Sequence, residues 1–355
     1  MNPMVLFRAL FGLCLGLSAA PTNAYQRTDV ANELEDVSDI INDISPEEVP
    51  FQSNCSTISV ENTKYEYDRD ELDAASATNA HIDGDVFAGE AITAPSRLAS
   101  HCQISRKDFI ITRRARKMKK TGQRDEVARQ VARKGRELKR DMESSLLANN
   151  AAVADNGSVA PETGGLPSWI TGDSDGRSSR GATGAEGGYN SGTSLTAAAT
   201  DGTDRALDES LMLGIVTSIY KVSKLVPNIL MMGPEAKAKF SQYMFGSSAR
   251  IATPYQDHGR SPRGGVTVVG AVDLWVTDFA TMELVPNLWQ REDDAFFLNM
   301  DVLEIGYFDR MSTNAMAKTA DTDDRMLLVD YCLICRNEKA LGVYADIDET
   351  AAMVS

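Results

Sequence analysis

Asp125-Glu-Val-Ala-Arg-Gln-Val-Ala-Arg-Lys-Gly-Arg-Glu-Leu-Lys-Arg-Asp-Met-Glu-Ser-Ser-Leu-Leu-Ala148 repeats apolar residues at helical spacing. Val127, Ala128, Val131, Ala132, Leu138, Met142 and Leu146 fall on one face, and Arg129, Arg133, Lys134, Arg136, Lys139 and Arg140 cover the rest. Returns at three and four residues predict an amphipathic helix, about 35 Å long at 1.5 Å per residue. A helix of that length needs partners along its whole apolar stripe, so the flanking segments decide the fold.

On its N-terminal side two strand-like stretches bracket a polar excursion. Ser56 to Tyr67 alternates Ile58 and Val60, then Tyr65 and Tyr67, and Leu98 to Thr112 carries Cys102, Ile104, Phe109 and Ile111. Between them Asp68 to Pro95 is rich in Asp, Ala and Gly with little apolar patterning. The pattern predicts a long hairpin, which alone is marginal in water and needs something outside itself to hold it. Before it, Tyr25 to Pro50 is acidic, with Val30, Leu34, Val37, Ile40, Ile41 and Ile44 near helical spacing, as an arm lying on a partner would have.

On the C-terminal side Asn149 to Gly202 is a Gly/Ser/Ala/Thr tract anchored by Trp169 and Ile170. It reads as a loop region too long to be a casual connection. From Asp204 the pattern turns compact. Leu207, Leu211, Ile215 and Ile219 predict a helix, Asn228 to Met232 a short buried strand, and Gly233-Pro234 the start of a helix presenting Ala236, Phe240 and Met244. Val266 to Val276, Glu283 to Val285, Ala295 to Met300, Leu303 to Phe308, Met326 to Cys335 and Gly342 to Ile347 read as strands. The fold class is α+β, with no internal repeat.

Net charge is −15, unevenly spread: Arg106 to Asp141 holds fifteen Lys/Arg against five Asp/Glu, a local +10 that leaves −25 for the remainder. Its strongest part is Arg113, Arg114, Arg116, Lys117, Lys119 and Lys120, a basic patch able to face a nucleic acid or a neighbouring subunit. No aromatic residue occurs from Arg113 to Asn150, so base stacking is not on offer, and a solvated or subunit-contacting helix is the stronger reading.

Residues that perform chemistry are sparse. There is no phosphate-cradling glycine motif, and the glycine-rich Gly184-Ala-Glu-Gly-Gly188 lacks the Lys-Ser/Thr that would follow. His81, His101 and His258 sit in unrelated contexts and read as non-catalytic. Asp321-Thr-Asp-Asp324 lacks calcium-loop spacing and reads as a solvated turn. Cys332 and Cys335 lie three apart on a strand, so they point to opposite faces and read as two buried thiols, neither a zinc site nor a redox pair. The other cysteines, Cys14, Cys55 and Cys102, form no disulfide framework. Neither catalytic, cofactor-binding nor metal-binding residues are expected, and the chain does not look like an enzyme. Arg8 followed by Ala9 to Leu17 resembles a signal peptide, too short to span a membrane.

Several stretches are similar to one branch of tailed-phage major head proteins: Asp36-Val-Ser-Asp-Ile-Ile-Asn-Asp-Ile-Ser-Pro46, Lys134-Gly-Arg-Glu-Leu-Lys-Arg-Asp141, Ala199-Thr-Asp-Gly-Thr203, Val272 to Arg291 with Thr277-Asp-Phe279 and Val285-Pro-Asn287, Leu327-Leu-Val-Asp-Tyr331, and Arg336-Asn-Glu-Lys-Ala340 through Asp346. Their order also resembles the Hong Kong 97 phage capsid fold. The resemblance implies an extra N-terminal segment outside the fold at 1–24, an N-arm at 25–50, an extended loop hairpin at 51–112 and a spine helix of the peripheral domain at 113–150. A Gly/Ser-rich loop region at 151–203, an axial domain at 204–310 and a return to the peripheral domain at 311–355 would follow. In such shells the extended loop lies across a neighbouring subunit.

The implied function is structural: hexamers and pentamers of the chain build an icosahedral head around double-stranded DNA, assembled in the host cytoplasm and found in the virion. Scaffold, portal and decoration proteins are implied partners, with no membrane and at most non-specific DNA contact. Relatives tend to begin near Ala19, so Met1 to Ser18 looks like an added upstream segment in preference to a secretion signal. An encapsulin-like nanocompartment shell shares the fold, and a nucleic-acid-binding protein using 106–141 is the more distant alternative.

Overall fold

Asp125 accepts a hydrogen bond from the Val127 backbone N–H and so caps the helix α3, Glu126–Leu147, with Glu126 adding negative charge to its first turn. The computed structural model describes residues 48–73, 75–86, 89, 92, 94–118, 125–172, 174–246, 272–318, 320–348 and 350–354, with backbone alone at 245 and 246. The expected segments 1–24 and 25–47, Lys119, Lys120, His258 and the strand residues 266–271 lie outside the described residues.

Ahead of α3 come the short helix α1 (Pro50–Asn54), strands β1 (Ser56–Ser59), β2 (Lys64–Arg69), β3 (Ser96–His101) and β4 (Gln103–Thr112), and the single-turn helix α2 (Arg113–Lys117). After it come helix α4 (Leu166–Trp169), strands β5 (Ser178–Ser179), β6 (Gly188–Asn190) and β7 (Leu195–Ala197), helix α5 (Glu209–Ser223), β8 (Ile229–Met232) and helix α6 (Pro234–Gly246). The chain ends with β9 (Leu274–Val276), β10 (Thr281–Pro286), β11 (Ala295–Leu298), β12 (Leu303–Ala315), β13 (Thr322–Cys335) and β14 (Gly342–Tyr344).

Two sheets organise them. One has the order β1-β12-β13-β4 and the other β5-β14-β11-β8-β10-β9. In the first, Tyr331, Leu333 and Cys335 of β13 join the core beneath Leu138, Met142 and Leu146 of α3, while Cys332 and Ile334 join a smaller core with Val60 and Cys102. Period-two alternation thus puts the two thiols of the C-x-x-C on opposite sheet faces, both buried. In the second sheet both faces are covered. Ile229, Met231, Phe296 and Leu298 face the α3 core, while Leu230, Met232, Ala295 and Phe297 face α5 and α6. That explains why Ile229–Met232 and Ala295–Leu298 are unbroken apolar runs.

Three expectations change. Ala128 and Ala132 are exposed, although Val127 is buried and Val131 packs on the core, while the Arg133–Glu137 and Lys134–Glu137 pairs follow on the same half of α3; Leu147 and Glu143 join the buried arc instead. Leu211 is exposed and Met212 and Val216 fill the α5 stripe instead. The tract from 149 to 202 is built into the body of the protein. β5 pairs with β14, β6 pairs with β7, Trp169 stacks on Tyr189, and Leu166, Trp169 and Ile170 enter the α3 core. Its glycines allow close backbone crossings: a Cβ on Gly181 would stand 2.0 Å from the Thr203 carbonyl oxygen. Small-residue composition here marks tight packing, which sequence composition does not distinguish from a loop.

Candidate functional site

β2 and β3 pair antiparallel from Lys64↔His101 to Arg69↔Ser96 and form a hairpin with a pinned root. Tyr65 and Tyr67 pack on the small core beneath, and the Tyr67 hydroxyl donates to the Cys335 carbonyl at 2.7 Å. Arg69 pairs with Glu338, and Lys339 with Glu71. Beyond Glu71 the support stops. Leu72, Ile82, Val86 and Ile92 are 93%, 83%, 86% and 97% exposed, and among the described residues the hydrogen bonds of 72–94 stay within that segment. The sequence reading missed these apolar residues because they follow no period. Single exposed hydrophobes are ordinary on a protein surface; what sets this loop apart is that it continues a two-stranded element, marginal by itself, beyond its last support among the described residues.

β4 is the edge strand of its sheet and leads into α2, whose first turn is capped by Thr112 accepting from the Ala115 N–H. Of the predicted basic patch, Arg113 pairs with Asp321 at 2.8 Å and Arg116 with Asp323 at 3.1 Å. The acidic run, expected as a solvated turn, therefore leads into strand β13 and offsets half of the described basic residues. Arg114 and Lys117 remain exposed and, with Arg113 and the largely exposed Met118, line an open depression of about 470 Å³.

Four carboxylates, Glu143, Asp294, Asp330 and Asp346, are buried among the described residues, and the burial of none was noticed in the sequence. Glu143 is fully buried and accepts from the Phe51 N–H at 2.7 Å, the Gln52 N–H at 3.0 Å, the Gln52 side-chain amide at 3.0 Å and the Asn287 amide at 2.8 Å. It fastens the first turn of α1 to α3; nearby, Trp289 donates to the Glu48 carbonyl at 2.8 Å, with Arg140 over its ring. Burial raises the Glu143 pKa, and the accepted hydrogen bonds oppose that rise in part. The one available signal was position: Glu143 lies inside the arc bounded by Leu138 and Leu147. Asp330 is buried beside the hairpin root, and burial aided by Asp309 pushes it up to about 6.

Asp294 is buried 3.5 Å from Arg291, which also pairs with Asp201 at 2.7 Å; burial outweighs the Arg291 and Arg180 cations and pushes Asp294 up to about 6. A folded-state pKa above the unfolded value means the folded chain holds its proton longer. Stability therefore falls as pH rises from about 4 to about 6, by roughly 3 kcal/mol for Asp294. Glu143 and Asp330 act in the same direction. Denaturant unfolding at pH 4.5 and 7 checks this: Asp294→Asn flattens the fall, and an unchanged slope in that variant removes Asp294 as its source.

Among the described residues His81 bonds to Asn79 and Asp85 on the exposed hairpin tip, and His101 is buried with its ring Nε2 3.2 Å from the Ser194 carbonyl. Among the described residues no group of three His, Cys, Asp or Glu is placed to hold a metal, and no helix is long and apolar enough to cross a membrane.

The description of the SU10 major capsid protein family matches residues 20–348. A major capsid protein of Escherichia phage Phieco32 is 31% identical over 109 residues, 30% of this chain and 31% of that protein, so the match spans about a third of the relative's length. Among solved structures, the capsid of a native GTA particle superposes with TM-score 0.59 at 10% identity, covering 93% of this chain and all of that one. The capsid of Cyanophage A-1(L) gives 0.58 at 13%, covering 91% and 98%. The SrpI encapsulin of Synechococcus elongatus PCC 7942 gives 0.50 at 13%, covering 91% and 94%.

Proposed function

Because the chain belongs to the SU10 major capsid protein family, a component of the virion capsid, we propose that it is the self-assembling shell subunit of an icosahedral tailed-phage head that encloses double-stranded DNA. Its work is assembly into hexamers and pentamers, with no reaction on a substrate. The encapsulin likeness is one of fold alone, at 13% identity, and does not favour a cargo compartment. In the proposed division, residues 25–50 act as the N-arm, 51–112 as the extended loop, 113–150 as the spine helix, 204–310 as the axial domain and 311–355 as the return to the peripheral domain. Residues 1–24 lie outside it, and scaffold, portal and decoration proteins are the proposed further partners.

The observation that carries the proposal is the hairpin tip. Four large apolar side chains stand nearly fully exposed on a two-stranded element pinned only at its root. A second copy supplies the cover that the chain itself lacks. The acidic remainder, −25 outside the basic stretch, limits adhesion of the inner wall to packaged DNA of the same sign.

Negative-stain microscopy of the expressed chain, across salt, pH and concentration, is expected to show closed shells. Leu72→Ser with Ile92→Ser leaves the thermal melt of the subunit unchanged and abolishes the shells, since neither side chain packs within its own subunit. Monodisperse monomers under every condition, together with absence of the chain from purified virions, sink the shell reading.

A further inference from the structure

Cys102 is the single residue between β3 and β4, at the point where the chain changes partner strands. Its backbone N–H donates to the Thr63 carbonyl at 2.8 Å, which continues the β2–β3 ladder. β4 then pairs with β13 in one register, from Gln103↔Tyr331 to Thr112↔Thr322. Carried back by one residue, that register sets Cys102 directly opposite Cys332. Because the Cys102 N–H turns to β2, the two cysteines face each other as a non-hydrogen-bonded antiparallel pair, whose Cα atoms stand about 4.5 Å apart. A disulfide spans Cα separations of roughly 4.4–6.8 Å.

The side chains meet as well. Cys102 and Cys332 are buried in one small core with Val60 and Ile334, separate from the α3 core that holds Cys55 and Cys335. The Cys332 thiol donates a hydrogen bond to the Cys102 sulfur; that bond first, and burial second, hold its pKa well above the usual thiol range. Gly306, opposite Cys332 on β12, leaves the sulfur its room, since a Cβ there would stand 2.9 Å from the Cys332 Sγ. Both thiols are free, but they differ in access. Cys102 is 2% exposed and lines a depression of about 340 Å³ with Thr63, Lys64, His101, Ile104 and Asp330, whereas Cys332 has no exposed surface. The C-x-x-C spacing drew attention to Cys335 as the partner of Cys332; the residue that meets Cys332 lies 230 positions upstream.

We infer that Cys102 and Cys332 are a cross-strand dithiol that oxidises in the folded chain to an intrachain disulfide, with a small-molecule disulfide as the oxidant. The exchange takes two displacements. Cys102 gives its proton to water, and its thiolate attacks one sulfur of the reagent. The reagent's S–S bond breaks, and the thiolate released takes up a proton. Cys332 then loses its proton and attacks the Cys102 sulfur of the mixed disulfide, expelling the second reagent thiolate, which is protonated in turn. Two protein thiols are oxidised, and one reagent disulfide is reduced to two thiols. The new bond ties the root of the hairpin to β13, beside the Tyr67 hydrogen bond to the Cys335 carbonyl. The bond itself does not rest on the shell reading. Its timing does, since a virion leaves a reducing cytoplasm for an oxidising medium.

Thiol mapping on the full chain tests it, in a Cys335→Ala background so that the tryptic peptide Met326–Arg336 carries a single thiol. The folded protein is incubated to completion with bis(2-hydroxyethyl) disulfide, remaining thiols are alkylated, and the unreduced digest is read by mass spectrometry. The expected product is Leu98–Arg106 linked to Met326–Arg336, lighter than their sum by two hydrogens. In the wild-type chain, fragment ions that separate Cys332 from Cys335 make the same assignment. The linked protein is expected to melt at least 3 °C, roughly, above its reduced form, and Cys102→Ala or Cys332→Ala to lose both the link and that gain. Absence of the link overturns the inference, as does a mixed disulfide that stays on Cys102 alone. A link that forms only when the chain is refolded in the reagent overturns it too, because the pair is then not poised in the folded state. So does a linked protein that melts below the reduced one, since the native geometry would then resist the bond.

Discussion

Glu143→Ala is expected to destabilise the subunit by about 3 kcal/mol or more, because it orphans three buried or half-buried donors at once. The Phe51 and Gln52 backbone N–H groups and the Asn287 amide converge on one carboxylate with no exposed surface. The first two belong to the opening turn of α1, where helix N–H groups have no partner of their own. The Cys55 thiol just beyond α1 is buried too, and burial together with the neighbouring Glu143 pushes its pKa up. Each unmatched buried donor costs about 1–3 kcal/mol, and the vacated volume adds to that. Glu143→Gln keeps an acceptor oxygen but turns an amide donor toward a donor, so a loss of about half is expected. Urea midpoints measure both; limited proteolysis near residues 48–55 should accelerate in the Ala variant and less in the Gln variant. A loss below about 1 kcal/mol for Ala would mean that water replaces the carboxylate and that the clamp is dispensable.

What the sequence made legible was periodic and local. The apolar returns at Leu138, Met142 and Leu146, those at Ala236, Phe240 and Met244, and the opposite-face placement of Cys332 and Cys335 all follow from rules acting within a few residues, and all are found in the structure. What stayed hidden was pairing across the chain. Arg113 and Asp321 lie 208 positions apart and Glu143 and Asn287 144 apart, so one sequence carries no trace of either. The basic stretch therefore looked like a uniform positive surface, although two of its arginines are internally neutralised. The stretch from Asn149 to Gly202 hid for a different reason. Glycine in a flexible loop and glycine at a tight backbone crossing are the same letter, and only the crossing strand tells them apart. The family resemblance compensated for this at the level of fold, since it rested on ordered segments spread from Asp36 to Asp346 and not on composition.

Gly165 is the sharpest case of that ambiguity, and Gly165→Ala is expected to be among the most damaging single-methyl additions in the chain. Its backbone angles, φ −70° and ψ 162°, suit any residue, so conformational freedom is not what glycine provides there. Proximity is. An added Cβ would lie 1.8 Å from the Ala148 carbonyl oxygen, where the chain leaves α3, and that contact is backbone against backbone with no side chain able to swing away. Gly165 also donates to the Asn150 carbonyl at 3.0 Å and accepts from the Ser168 hydroxyl at 2.7 Å, so both sides of the crossing are tied. Leu166, Trp169 and Ile170 immediately beyond it are buried in the α3 core, which leaves no room to slide the turn outward. Overpacking of this kind costs about 3 kcal/mol or more, enough to leave little folded protein in a marginally stable subunit. Gly214→Ala is the matched control: it sits on the exposed side of α5 with nothing within 4 Å of the added carbon, and helix propensity predicts stabilisation of up to about 1 kcal/mol. Thermal and urea unfolding of the pair should therefore move in opposite directions. If Gly165→Ala folds and melts as wild type, the close crossing of the α3 exit with the α4 turn is not how this protein packs, and the buried placement of Trp169 would have to be abandoned with it.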